Sequence, residues 1–493
     1  MLRLLLLTLI SLRLIAADLN VSTIDTIIEN VRKAYQAPGI AVAIVHNDAT
    51  VYAKGFGVRK VGESTPVTPD TRFAIGSTSK AFTTAAMGIL VDEGKMAWDD
   101  PVRKHVPFFR LSDPLADANV TMRDIVCHRT GLSRNDLLWY NSPWTREEII
   151  RKIGLVPLTK PFRSAYQYQN IMFLTAGHAV GLISGSTWEG FVTQRIFTPL
   201  GMSNSDFSTN DVVKARDYSA PHTKEDGVVK VVPWRNIDNV APAGSINSSV
   251  NDLSRWARMH LNEGKFEGRQ ILKPATLKEM HSAQMAMPVD DPVGRVLGSE
   301  SNLTSYGLGW IAQDYRGHHM VSHGGAIDGF RASVALLPKQ RYGIVILSSL
   351  GGTSLPEALR NLIADHLLGL DAKDWTKAYL DRAAKQEAEA KQRAQEQEQK
   401  RHKDTKPSRE LAAYTGFFEH PAYGLATVSA EGGSLALKWS NWNATLEHFH
   451  FDVFRGRKSR DPLSEQLVEF RMDGKGDVAS VRFVDQEFTR RKP

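Results

Sequence analysis

Strand-like runs stand at the two ends of a long stretch of this chain and are almost missing between them. Residues 39–45, Gly-Ile-Ala-Val-Ala-Ile-Val, form an unbroken apolar run of strand length, and a turn at His46-Asn47-Asp48 leads into a second strand over 50–56. The pattern returns only at 306–312, 319–323, 330–337 and 342–348. Between about residues 95 and 260 the spacing predicts helices and loops, with helices over 147–153, 171–184, 188–197 and 250–262. A strand leaves backbone donors and acceptors that must find partners. The early and late strands therefore predict one antiparallel sheet built from both ends of a domain, in a mixed α/β fold. Helices over 23–35 and 356–368 would flank the sheet. An inserted helical subdomain would stand beside it, leaving a cleft between the two.

Two further boundaries follow from composition. Residues 382–403 are almost entirely Ala, Glu, Gln, Lys and Arg with no large apolar residue, so the stretch 371–410 reads as an exposed helical or partly helical linker. From 411 to 493 short alternating segments are separated by turns such as Glu431-Gly432-Gly433 and Asp473-Gly474-Lys475-Gly476, the pattern of a small all-β barrel. At the other end, Met1-Leu2-Arg3 precedes a leucine-rich run to Leu12, then Arg13 and Ile15-Ala16-Ala17. This reads as a signal peptide over 1–17, too short to span a bilayer, and predicts a secreted or periplasmic protein with no transmembrane anchor once it is removed. The sheet-and-helix domain would then occupy 18–370.

The net charge of +7 is modest for 493 residues, and acids interleave with bases in the only dense charged stretch, which argues against nucleic-acid binding. The single cysteine, Cys127, excludes an internal disulfide and lies in the apolar run Ile125-Val126-Cys127, where it reads as core.

The chemistry is concentrated at Gly76-Ser77-Thr78-Ser79-Lys80, which leads into a helical period over 81–90 carried by Phe82, Ala85, Ala86, Ile89 and Leu90. Ser77 would sit at the mouth of a helix with Lys80 on the same face one turn later. A serine hydroxyl becomes nucleophilic when a neighbour takes its proton, and a lysine whose charge is disfavoured can do so. The alternative reading is a helix-capping serine and a solvated lysine. Two other patterns add to the first. In Tyr168-Gln169-Asn170, residues two apart on an extended segment point the same way, so Tyr168 can relay a proton and Asn170 can hold both Lys80 and a substrate carbonyl. In His323-Gly324-Gly325-Ala326 the glycines permit close backbone approach, the Ala326 N–H can join that of Ser77 as an oxyanion hole, and His323 can bind a carboxylate or carbonyl or tune the Lys80–Tyr168 pair. His318 and His319 lie nearby without an acidic framework, so no metal site and no cofactor are expected.

With Ser-x-x-Lys, Tyr-x-Asn and His-Gly-Gly in this order, residues 25–368 resemble the penicillin-recognising serine hydrolases, in particular the branch holding class C beta-lactamases, D-alanyl-D-alanine carboxypeptidases, D-aminopeptidases and esterases. His128-Arg129-Thr130-Gly131-Leu132 and Ala243-Gly244-Ser245 add to the likeness, and the C-terminal part resembles the lipocalin-like barrels appended to some members. The resemblance implies an acyl-enzyme on Ser77, with either Lys80 or Tyr168 as base. A histidine at 323, where true beta-lactamases carry a lysine, favours a peptidase on small or D-amino-acid-containing peptides; a carboxylesterase or beta-lactamase is the alternative, and an inactive ligand-sensing protein the alternative of another class. The expected partner is a small-molecule or peptide substrate.

Overall fold

The computed structural model describes residues 20–288, 301, 303–459 and 462–491. The leader expected over 1–17 lies outside the described residues. The expected sheet is present: eight antiparallel strands in the spatial order Ala49–Gly57, Gly39–His46, Tyr342–Ser348, Phe330–Leu337, His318–Ile327, Ile311–Tyr315, Thr304–Tyr306 and Met285–Ala286. The two ends of the domain meet where Ile40 pairs with Ser348 and, six residues on, His46 with Tyr342.

The unbroken apolar run of Gly39–His46 is explained by cover on both faces of the sheet. Ile40, Val42 and Ile44 face helices Val21–Tyr35 and Leu355–Leu368. Ala41, Ala43 and Val45 face the other way, into the larger core. Small residues on that face let helix Val250–Leu261 lie close: a Cβ on Gly343 would stand 3.2 Å from the Ala257 Cβ. Helix Ser79–Asp92 runs through the middle of this core and is buried all round from Ser79 to Leu90. Phe82 stacks on Trp256 at 4.0 Å and meets Phe197 edge-on at 5.8 Å, so Phe82→Ala would cost about 3–5 kcal/mol.

Three elements differ from the sequence reading. The single strand expected over 306–312 is two strands, Thr304–Tyr306 and Ile311–Tyr315, because Gly309 turns the chain at φ 74 against helix Ser79–Asp92. The helix expected over 188–197 is α-helical at Trp188–Val192 and widens to a π-turn over Thr193–Phe197. The glycines after His323 do not end their strand; pairing continues to Ile327, and the turn falls at Asp328-Gly329.

Helix Trp375–Gln399 follows this α/β domain. Its first turns are anchored by buried Trp375 and Tyr379, with the Trp375 indole N–H donating to Asp365 at 2.7 Å; the rest is exposed. A closed barrel of eight strands, from Gly416–His420 to Gln486–Arg490, ends the chain. Aromatic side chains fill its interior: Tyr414, Phe418, Phe454 and Phe470 make ring contacts at 5.0–6.2 Å, and Phe483 stacks on Phe488 at 4.4 Å.

Candidate active site

Ser77 lies half-exposed in the 3-10 turn Gly76–Thr78 that opens helix Ser79–Asp92. The turn is pinned from two sides. The Ile246 N–H donates to the Ser79 hydroxyl at 3.1 Å, and the Thr83 hydroxyl donates to the Pro242 carbonyl at 2.6 Å. On the other side the turn touches strand His318–Ile327 directly. A Cβ on Gly76, whose φ is 52, would stand 2.6 Å from the Ala326 nitrogen. One on Gly325 would stand 1.8 Å from the Ile75 carbonyl oxygen. Strand Ile311–Tyr315 pairs with His318–Ile327 only as far as Ser322, so the edge from His323 to Ala326 is open on that side and faces the serine. The two glycines of the motif thus have different surroundings: Gly325 sits against the turn, whereas a Cβ on Gly324 would find ordinary contact, 3.5 Å from the Glu357 carboxylate.

Lys80 is fully buried, with its Nζ 3.1 Å from the Ser77 Oγ, 2.7 Å from the Asn170 Oδ1 and 2.7 Å from the Ala243 carbonyl oxygen. Burial, foremost, and the Arg134 charge hold its proton affinity well below that of an ordinary lysine, against the opposing charge of Asp136. A neutral amine has two N–H donors and one lone pair. With the donors spent on Asn170 and Ala243, the lone pair faces the Ser77 hydroxyl, the geometry of a general base.

Tyr168 closes the other side. Lys80 Nζ lies over its ring at 4.8 Å and the Arg134 guanidinium at 5.2 Å. Burial raises the phenol's pKa, and a hydrogen bond with Ser77 only partly opposes this, so the phenol keeps its proton at neutral pH. His128 positions the segment. Its backbone φ is 61, its carbonyl accepts from the Gln167 N–H at 2.8 Å, and its Nδ1 accepts from the Gln169 N–H at 3.1 Å. An Nδ1 that accepts carries no proton, so this ring is the neutral Nε2–H form.

Asn170 holds Lys80 as expected; one of its two amide N–H donors goes to Asp136 Oδ1 at 2.8 Å, and the residue lines the pocket beside Ser77. His323 is used differently from the sequence expectation. His323 is buried, and both ring nitrogens are committed: Nδ1–H donates to the Gly324 carbonyl at 2.6 Å and Nε2 accepts from the Tyr306 hydroxyl at 2.8 Å. Burial, then the nearby Lys80 charge, push its pKa down to about 3. A neutral ring with no free nitrogen does not serve as a carboxylate receptor. Cys127 is likewise inert, buried with its thiol pushed up to about 12 by desolvation.

The sequence reading missed Arg134 and Asp136. Asp136 Oδ1 also accepts from the Trp139 indole N–H at 2.7 Å, and its second oxygen pairs with Arg134. The echo at 128–132 ends just before them, but no period or spacing marks them as site residues. From Ser77 the site opens past Arg134, Trp139, Ala326 and Ile327 into a cleft of about 680 Å³ that also reaches Arg235 and Asp328.

The profile of the family described as Beta-lactamase matches residues 24–368, and one described as a domain of unknown function (DUF3471) matches 400–492. Unguisins hydrolase ungD of Aspergillus violaceofuscus is 30% identical over 464 residues, spanning 86% of this chain and 80% of that protein. The octameric penicillin-binding protein homologue from Pyrococcus abyssi shares the fold with a TM-score of 0.63 at 21% identity, covering 95% of this chain and 99% of that one. The D-amino acid amidase from Ochrobactrum anthropi SV3 does so with a TM-score of 0.58 at 20% identity, over 70% and 98%. The chain belongs to the beta-lactamase family and is a serine hydrolase.

Proposed function

We propose that Ser77 is the nucleophile of this hydrolase and that its substrates are amides of small or D-amino-acid-containing peptides. The observation that carries the reading is the buried Lys80 amine, 3.1 Å from the Ser77 hydroxyl, with its proton affinity held by desolvation well below that of an ordinary lysine. As Oγ bonds to the carbonyl carbon, its proton passes to Lys80. The backbone N–H groups of Ser77 and Ala326, on facing sides of the turn–strand contact, receive the developing oxyanion. The protonated Tyr168 phenol gives its proton to the departing nitrogen, the C–N bond breaks, and the Lys80 ammonium returns a proton to Tyr168. Water then adds to the acyl-enzyme by the reverse relay and frees the acid and Ser77.

An amide substrate is favoured over a beta-lactam because His323 is held neutral where a fixed cation would meet a lactam carboxylate. The name of the D-amino acid amidase supports the same direction, and that of the hydrolase ungD supports hydrolysis. Export by a leader over 1–17 belongs to this proposal, and the N-terminal sequence of protein recovered outside the cell tests it. For the activity, a fluorophosphonate probe should modify the wild type and not Ser77→Ala, as read by intact mass. A panel of D-aminoacyl amide, D-Ala-D-Ala peptide, short-chain ester and nitrocefin should show amide turnover first. Turnover of nitrocefin alone would reverse the ranking, ester turnover alone would make it an esterase, and no labelling under any condition would leave a ligand-sensing fold.

A further inference from the structure

Residues 133–140 bring Arg134, Asp136, Trp139 and Tyr140 to the site and its cleft, yet the segment has little regular structure of its own. It contains one 3-10 turn, Asp136–Leu138, with Asn135 (φ 48) before it and Asn141 (φ 49) after it, both left-handed. Short irregular chain of this kind holds its shape through contacts made from outside. Here the C-terminal barrel makes them at both ends.

At the first end, the Tyr423 hydroxyl donates to Asn135 Oδ1 at 2.7 Å, and the Asn135 amide reaches back to the Ser133 carbonyl at 2.7 Å and hydroxyl at 3.0 Å. Tyr423 is itself fixed: it is buried, and its carbonyl accepts from the Trp439 indole N–H at 2.9 Å. At the other end, the Trp442 ring stacks on Tyr140 with centroids 6.0 Å apart and planes 20° off parallel. The Arg235 guanidinium lies over both rings, at 4.8 Å from Tyr140 and 5.7 Å from Trp442. Tyr140 and Arg235 both donate to Asp328, in the turn that follows the Ala326 strand. Tyr423 lies in the turn between strands Gly416–His420 and Gly424–Glu431, and Trp442 follows the turn at 440–441 after strand Ser434–Trp439, so the hairpin rim of the barrel is the part that acts on the hydrolase fold.

We infer that the barrel is a working part of the active site: Tyr423 and Trp442 clamp residues 133–140 and so keep Asp136 bonded to the Asn170 amide. That bond decides which end of the amide meets Lys80. Held by Asp136, Asn170 offers its oxygen to Lys80. Released, the amide is free to turn its N–H2 toward the amine, and the base loses an acceptor that orients its lone pair. Tyr423 and Trp442 are positioning residues; neither touches the reacting atoms. The inference rests on the Ser77 reading above.

The test uses full-length Tyr423→Phe, which removes one hydroxyl, together with Trp442→Ala and Trp442→Phe. The readouts are the second-order rate of Ser77 modification by a fluorophosphonate, kcat and KM taken separately, and the acid limb of the pH profile. Loss of one hydrogen bond predicts a fall of about threefold to tenfold in the modification rate of Tyr423→Phe, with a displaced acid limb. Trp442→Ala should fall further, and Trp442→Phe, which keeps a stacking ring, should recover most of the rate. Faster hydrogen exchange over 133–140 in Tyr423→Phe should accompany the loss. If the wild type labels and both Tyr423→Phe and Trp442→Ala label at its rate with its pH profile, the clamp is refuted and the Ser77 reading stands. If the wild type does not label, the Ser77 reading falls and takes the clamp with it.

Discussion

Replacing Gly325 with alanine isolates the contact on which the proposed oxyanion hole depends. The glycine's φ lies outside the left-handed region, so alanine meets no backbone strain there; the conflict is spatial. The added Cβ would stand 1.8 Å from the Ile75 carbonyl oxygen, 2.8 Å from its carbon and 3.0 Å from the Thr78 hydroxyl. Relief to a 3.0 Å contact requires the strand and the serine turn to part by about 1.2 Å. Both obstructing atoms nearest the Cβ are backbone, so no side chain can swing away. The Ser77 and Ala326 N–H groups sit on opposite sides of this gap and would diverge with it. A misplacement of about 1 Å at a reacting centre costs on the order of a hundredfold in rate, and the crowded core should lose about 1–3 kcal/mol of stability. The assay is kcat on the best substrate of the panel, with urea unfolding in parallel. Gly324→Ala is the built-in control, because its Cβ meets nothing closer than 3.5 Å and kcat should stay within about threefold of wild type. A folded Gly325→Ala enzyme with kcat within threefold of wild type would refute the reasoning.

The charges around Lys80 give opposite shifts in pH dependence. The acid limb of kcat/KM should lie well below 10.5, because burial, foremost, and Arg134 favour the neutral amine. Arg134→Gln removes a repelling cation and should move the limb to higher pH, while Asp136→Asn removes an attracting anion and should move it lower; matching shifts in both variants would sink the assignment. Away from the site, Asp124 is fully buried between Arg129 at 2.5 Å and Arg163 at 2.7 Å. Burial raises its pKa, but the two guanidiniums outweigh this and hold it low. Its contribution is thus present above the unfolded carboxylate range and lost as pH falls through the lower folded value. Because Arg163 is substantially solvated, Asp124→Asn should cost about 2–4 kcal/mol, read as a lower urea midpoint at neutral pH.

The parts of the fold legible in the sequence are those fixed by local pattern. Strands Phe330–Leu337 and Tyr342–Ser348 fall where their apolar runs do, since burial on both faces leaves no other use for such runs. The alternation Tyr306, Leu308, Trp310, Ala312 imitates one strand, and only the close approach of Gly309 to Thr84 shows why the chain must turn there. In the site, Ser77, Lys80, Tyr168 and Asn170 carry their chemistry in residue type and spacing, and the structure brings all four together. Gly324 and Gly325 are identical in sequence and differ only in what faces them. The neutrality of His323 follows from burial and from Tyr306, neither of which a linear pattern encodes. Arg134 and Asp136 reach the site from irregular chain, where no period exists to be read.

The junction of the serine turn with the Ala326 strand also sets when a competent enzyme can exist. Its two sides are roughly 250 residues apart in the chain, a contact that cannot form until most of the polypeptide has been made. A nascent or nicked N-terminal fragment carries the serine and the lysine but lacks the opposing backbone. With the proposed oxyanion hole, hydrolytic power is thereby withheld from every product of synthesis that stops before Ala326.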